Sequence, residues 1–229
     1  MNLPNALTIG RIAITPLVAV LPFVNGSTVR AIAFLLFVIA AVTDYIDGYL
    51  ARRENLITEL GKWLDPLADK LLLLGTFVPM YYLMRGAPIL RKAGETIPPD
   101  GRFPTLLASM WLSLPLWVVV VVLGREVFMT GFREIAKRKG VMISSIGPAK
   151  WKTTFQSVWV GAAYCWFFAA TLAREHGWRG GWWSAFAYFN GAVVAFSMCC
   201  AVVLTLWSLA LYVQRYGSVI AAPARSHAG

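Results

Sequence analysis

Histidine and cysteine are scarce in this chain, and charge is scarcer than in an ordinary soluble domain. Of 229 residues, two are histidine, His176 and His227. Nothing in the adjacent sequence is placed to orient either ring, which removes the side chain that most often handles protons near neutral pH. Three cysteines, Cys165, Cys199 and Cys200, lie in apolar stretches with no CxxC and no His pattern nearby. That excludes a disulfide framework and a zinc site, and leaves the three as small packing residues. Asp, Glu, Lys and Arg make up 14% of the chain, whereas a soluble globular domain is about a quarter charged.

Apolar surface fills the gap. The chain is 58% hydrophobic with a mean hydropathy of +0.62, the composition of an integral membrane protein. Periodic apolar stretches fall at 6–24, 29–50, 63–84, 104–123, 153–173 and 184–213. Each is long enough to cross a hydrocarbon core of about 30 Å as a helix. The fold class expected is therefore all-α, a polytopic bundle of six transmembrane helices forming one domain over 1–217. The small, polar residues 218–229 are expected to be a disordered tail. The first stretch carries Arg11 and no small-residue cleavage site, so it reads as a retained helix rather than a signal peptide. The Gly-, Pro- and charge-rich segment 85–104 reads as an outer loop.

The net charge of +10 is spread unevenly. With the N-terminus and the segments 51–62, 124–152 and 214–229 taken as loops on one side, that side, together with Arg11 and Lys70, holds 14 of the 21 Lys and Arg. The positive-inside rule makes it cytoplasmic. There is no basic soluble domain, which excludes a nucleic-acid partner. Positive charge at this surface suits anionic lipid and anionic substrates.

Against this background the segment 44–69, DYIDGYLARRENLITELGKWLDPLAD, stands out. A charge inside a membrane helix costs about 2.5 to 3.5 kcal/mol on insertion scales, so acids there have partners or work to do. Asp44 and Asp47 are three apart, and Asp65 and Asp69 four apart, so each pair shares one helical face. Gly48 and Ala51 lie on the first face and Gly61 on the second, leaving room beside the carboxylates for a bulky group. Clustered carboxylates without His or Cys favour a hard cation, Mg²⁺ or Mn²⁺. Four acids suffice for two ions, an arrangement suited to phosphoryl displacement. Pro66 removes a backbone donor between Asp65 and Asp69 and frees the carbonyl of Lys62. A second group, Arg125, Arg133, Lys150 and Lys152, gathers around one cytoplasmic segment on the same side. Such a set suits a phosphomonoester, which calls for Arg forks or Lys point charges. Glu126 and Glu134 are expected to hold the basic residues in place.

The pattern Asp44-x-x-Asp47-Gly48-x-x-Ala51-Arg52, then eight residues, then Gly61-x-x-x-Asp65-x-x-x-Asp69, resembles the full signature of the CDP-alcohol phosphotransferase family. The resemblance implies a six-helix membrane enzyme, a homodimer, that displaces CMP from a CDP-linked substrate by attack of an alcohol, with two divalent metals. By position, Asp44, Asp47 and Asp65 would be metal ligands. Asp69 would touch metal and also be the general base. Gly48, Ala51, Arg52, Gly61, Asn5 and Thr8 would form the CDP site. Asn5-Ala6-Leu7-Thr8-x-x-Arg11, the run 64–70, Arg125-Glu126, Arg133-Glu134 and 150–153 are similar to bacterial members that act in the inner membrane on CDP-diacylglycerol and sn-glycerol 3-phosphate. The same chemistry with inositol phosphate or phosphatidylglycerol as acceptor stays open. So does the remote alternative of a divalent-cation transporter.

Overall fold

The computed structural model describes residues 3–53, 59–85, 103–104, 111–112, 114–141, 143, 147–178 and 180–221. Among these, six helices run α1 Leu3–Val20, α2 Ser27–Arg53, α3 Glu59–Arg85, α4 Leu116–Arg138, α5 Gly147–Glu175 and α6 Gly181–Ala221. Five contain segments long and apolar enough to cross a membrane: Asn5–Phe23, Ser27–Ile46, Trp63–Met84, Trp151–Glu175 and Gly181–Gly217. The protein is thus all-α and polytopic, as composition predicts. A short antiparallel pairing, β1 Phe103–Pro104 with β2 Trp111–Leu112, is the exception among the described residues. Most of the expected outer loop 85–104 lies outside them.

The fourth helix departs from its expected position. Hydropathy predicts it over 104–123, with 124–152 as loop, yet α4 begins at Leu116 and runs to Arg138. Pro115 sets its start, with extended backbone at φ −69° and ψ 143°, because proline tolerates the first turn of a helix but not its interior. Its end is set by Lys139 and by Gly140, whose φ of +75° suits glycine. Between these ends the helix keeps its charges because they find partners, which an average of hydropathy does not register. Likewise α2 and α3 extend helix into the expected loop 51–62, and α6 runs on to Ala221.

α1 packs on α2 and α3, α5 packs chiefly on α6 and then on α2, and α4 lies along α6. Trp159 on α5 is fully buried and meets Phe77 of α3 edge to face, with ring centroids 4.9 Å apart. The other tryptophans divide between packing and lipid: Trp166 is buried, while Trp117 is exposed. α1 and α3 approach closely at Gly75, where an added Cβ would lie 3.0 Å from Cγ2 of Thr15, the small-residue contact that membrane helices use.

Tyr164 joins three helices at one atom. Its hydroxyl lies 3.1 Å from the carbonyl of Val18 on α1 and 3.4 Å from that of Gly75 on α3. Both carbonyls lack their usual donor four residues on, because Pro22 and Pro79 have no N–H. A buried hydroxyl from α5 supplies what the prolines withhold. Tyr164→Phe should therefore lower stability by about 1 kcal/mol, the scale of a polar contact inside a membrane bundle. Thermal unfolding in detergent, with the exposed Tyr188→Phe as an unchanged comparison, measures this.

Candidate active site

The first helix is apolar apart from a stripe at helical spacing: Asn5, Thr8, Arg11 and Thr15, all buried. A buried arginine in a membrane helix needs counter-charge, and α2 and α3 provide it. Arg11 Nη1 donates to Asp44 Oδ1 and, at 3.0 Å, to Asp69 Oδ1. Thr8 Oγ1 donates to Asp65 Oδ1 at 2.9 Å. Thr15 Oγ1 folds back onto the Arg11 carbonyl at 2.7 Å, as hydroxyls inside helices commonly do. Three of the four expected carboxylates are thereby brought to one end of the bundle, where Gly61 is also buried. Asp47, Gly48, Ala51 and Arg52 fall on the last turns of α2, and their side chains lie outside the described residues.

Burial is unequal across these ion pairs. The Arg11 side chain is 1% exposed, whereas those of Asp44 and Asp69 are 44% and 61% exposed. The cation is locked in the bundle and the carboxylates face outward, open to a ligand. Among the described residues, no three His, Cys, Asp or Glu side chains are gathered closely enough to hold a metal ion alone.

A second charged group faces them. Glu126 on α4 accepts from Lys152 of α5 and, at 2.9 Å, from Arg125 Nη1. Arg125 Nη2 continues to Ser208 Oγ on α6 at 3.3 Å. One carboxylate thus serves two buried cations. Between the groups lies a cavity of about 160 Å³ lined by Asp44, Asp69, Lys70, Glu126, Lys152 and Gln156, with Thr76, Thr153, Ser157 and apolar residues around them. It is smaller than the roughly 300–1,000 Å³ of pockets for drug-sized ligands, and so suits a small polar molecule.

The structure sorts the expected basic residues. Lys152 lines the cavity, and Arg125 is tied to it through Glu126. Arg133 is exposed and sits over the Tyr212 ring, 5.9 Å from its centroid. The side chain of Lys150 lies outside the described residues. Glu126 holds basic residues as expected, while Glu134 pairs with Arg138 at 3.2 Å rather than with Arg133. Sequence reasoning missed the bridging role of Arg11, the place of Glu126 in the cavity wall, and Gln156. The one signal for Arg11 was a charge within the first apolar stretch. For Gln156 it was a polar residue one turn beyond Lys152.

Glu126→Ala should cost about 3–5 kcal/mol, because it strands two buried cations. Glu134→Ala, on an exposed pair, should stay within about 0.5 kcal/mol. Denaturation in detergent separates the two, and equal effects would contradict the shared-carboxylate geometry.

The chain is similar to known proteins along most of its length. The CDP-diacylglycerol–glycerol-3-phosphate 3-phosphatidyltransferase of Rickettsia felis is 51% identical over 155 residues, which span 68% of this chain and 70% of that protein. The protein of the same name from Rickettsia typhi is 54% identical over 71 residues, but this match spans only 31% of the chain and 40% of the relative. That of Salmonella choleraesuis is 31% identical over 219 residues, 93% of each chain. Residues 1–207 match the family model described as CDP-alcohol phosphatidyltransferase, and the chain belongs to that family.

Proposed function

We propose that this protein transfers the phosphatidyl group of CDP-diacylglycerol to the primary hydroxyl of sn-glycerol 3-phosphate, forming phosphatidylglycerophosphate and CMP. The observation that carries the reading is a small cavity lined both by the carboxylates of Asp44 and Asp69 and by Lys152 with Glu126. The relatives' names and the family support the donor and the acceptor.

In this reading the acceptor hydroxyl oxygen forms a bond to the phosphorus that bears diacylglycerol. The phosphoanhydride bond to CMP breaks, and CMP leaves with the electron pair. The hydroxyl proton needs a base. Neither His176 nor a cysteine is among the described residues that line the cavity, so the base falls to a carboxylate, and the place of Asp69 in the family signature gives it that role. Lys152, with Arg125 behind it, supplies positive charge for the acceptor phosphate, and Lys150 and Arg133 would add to it. Asn5, Thr8, Gly48, Ala51, Arg52 and Gly61 would form the CDP side.

The donor set fits a divalent cation. Asp44, Asp65 and Asp69 offer only oxygen, and Asp44 and Asp69 share a single guanidinium, that of Arg11, a donor set suited to a hard divalent ion. Mg²⁺ or Mn²⁺, held by Asp44, Asp47, Asp65 and Asp69, would supply Lewis-acid stabilisation of the diphosphate when bound, two ions being the number the family resemblance implies. The protein is further read as a homodimer in the bacterial inner membrane, with the site on the cytoplasmic side, where most Lys and Arg lie.

Purified protein given labelled CDP-diacylglycerol should release CMP with sn-glycerol 3-phosphate and not with inositol phosphate or phosphatidylglycerol. Product from either other acceptor would replace the reading. Activity should vanish in excess chelator, and in Asp44→Asn, Asp47→Asn or Asp65→Asn proteins that still fold.

The base is tested separately. Asp69→Asn should lower kcat by about 10²-fold or more while the KM for CDP-diacylglycerol stays nearly constant, the scale of a lost proton acceptor. Turnover like that of the unaltered protein would remove Asp69 from the role.

A further inference from the structure

Gln156 lies four residues beyond Lys152 on α5, so the two side chains share a helical face. Both line the cavity opposite Asp44 and Asp69. Gln156 is 6% exposed, yet its Nε2 has no hydrogen-bond partner among the described residues. A buried amide N–H left unpaired is costly, and such a group in a native structure asks for an explanation. None of the lining residues, the hydroxyl-bearing Thr76, Thr153 and Ser157 included, accepts from it. A ligand oxygen inside the cavity would.

From this placement we infer that Gln156 holds the central hydroxyl of the acceptor, and so selects a vicinal hydroxyalkyl phosphate over one that lacks this group. The inference rests on the reaction proposed above. An acceptor with its phosphate toward Lys152 and its reacting hydroxyl toward Asp69 spans the cavity with three carbons. The atom left between those ends is the hydroxyl on the middle carbon. Gln156 shares α5 with Lys152 and, among the described lining residues, is the uncharged side chain whose buried donor is left unpaired. A neutral amide carries both a donor and an acceptor and suits a neutral hydroxyl, whereas the phosphate already has charged partners. Gln156 touches no bond that forms or breaks, so it acts as a specificity residue.

The probe is a pair of acceptors, sn-glycerol 3-phosphate and 3-hydroxypropyl phosphate. They share the phosphate, the chain length and the primary hydroxyl, and differ only in the central hydroxyl. A site built to bond a hydroxyl rejects the analogue that lacks it, so unaltered protein should prefer glycerol 3-phosphate by about tenfold or more in kcat/KM. Gln156→Met should lose about that factor with glycerol 3-phosphate, mainly as raised KM, and change little with 3-hydroxypropyl phosphate. The preference then collapses toward one. Gln156→Leu gives the same ratio by a second route should the methionine variant fold poorly. Equal losses with both acceptors, or an unchanged preference, would overturn the assignment. Failure of the unaltered protein to release CMP with either acceptor would instead overturn the underlying reaction.

Discussion

Arg11 Nη1 donates at once to Asp44 on α2 and Asp69 on α3, and the rest of the site is arranged around that shared donor. A guanidinium inside an apolar helix has no favourable place except beside carboxylates. Its need for counter-charge therefore draws the ends of α2 and α3 to one point on α1. Thr8 repeats the arrangement one turn earlier by reaching Asp65. The first helix, which carries none of the signature acids, decides where three of them meet. Because the arginine is sealed and the acids are half open, the acids remain able to bind something else. A fully buried pair would have spent its charge on itself.

The facing wall follows the same economy by a different route. Glu126 divides one negative charge between Lys152 and Arg125, which leaves net positive charge beside a cavity whose other wall is net negative. An acceptor with an anionic end and a neutral hydroxyl end is oriented by that polarity before any specific contact forms. Charge sets direction, and a neutral amide between the poles is free to read identity.

Much of this was legible from sequence, for identifiable reasons. Apolar runs longer than a bilayer report membrane helices because lipid offers the backbone no partners, and three- and four-residue spacings report shared faces. The extent of α4 was not legible. A hydropathy average reads Arg125 and Glu126 as loop, whereas the fold pairs these charges with each other and with Lys152, Glu126 lying 26 residues before that lysine. The partners of Arg11, 33 and 58 residues away, leave no trace in local periodicity. The placement of Arg133 over the ring of Tyr212, on another helix, likewise leaves no trace in local sequence.

Tyr164 changes what a proline means in this bundle. Pro22 and Pro79 are ordinarily read as local kinks, each confined to its own helix. Here each removes a donor from a carbonyl that the α5 hydroxyl then approaches, so its influence is exported to a helix far away in sequence. Replacing either proline with alanine would restore a backbone N–H to compete for the same lone pairs. The two prolines and the tyrosine are therefore physically coupled. A change at one alters which residues are acceptable at the others, although the three sit on different segments of the chain.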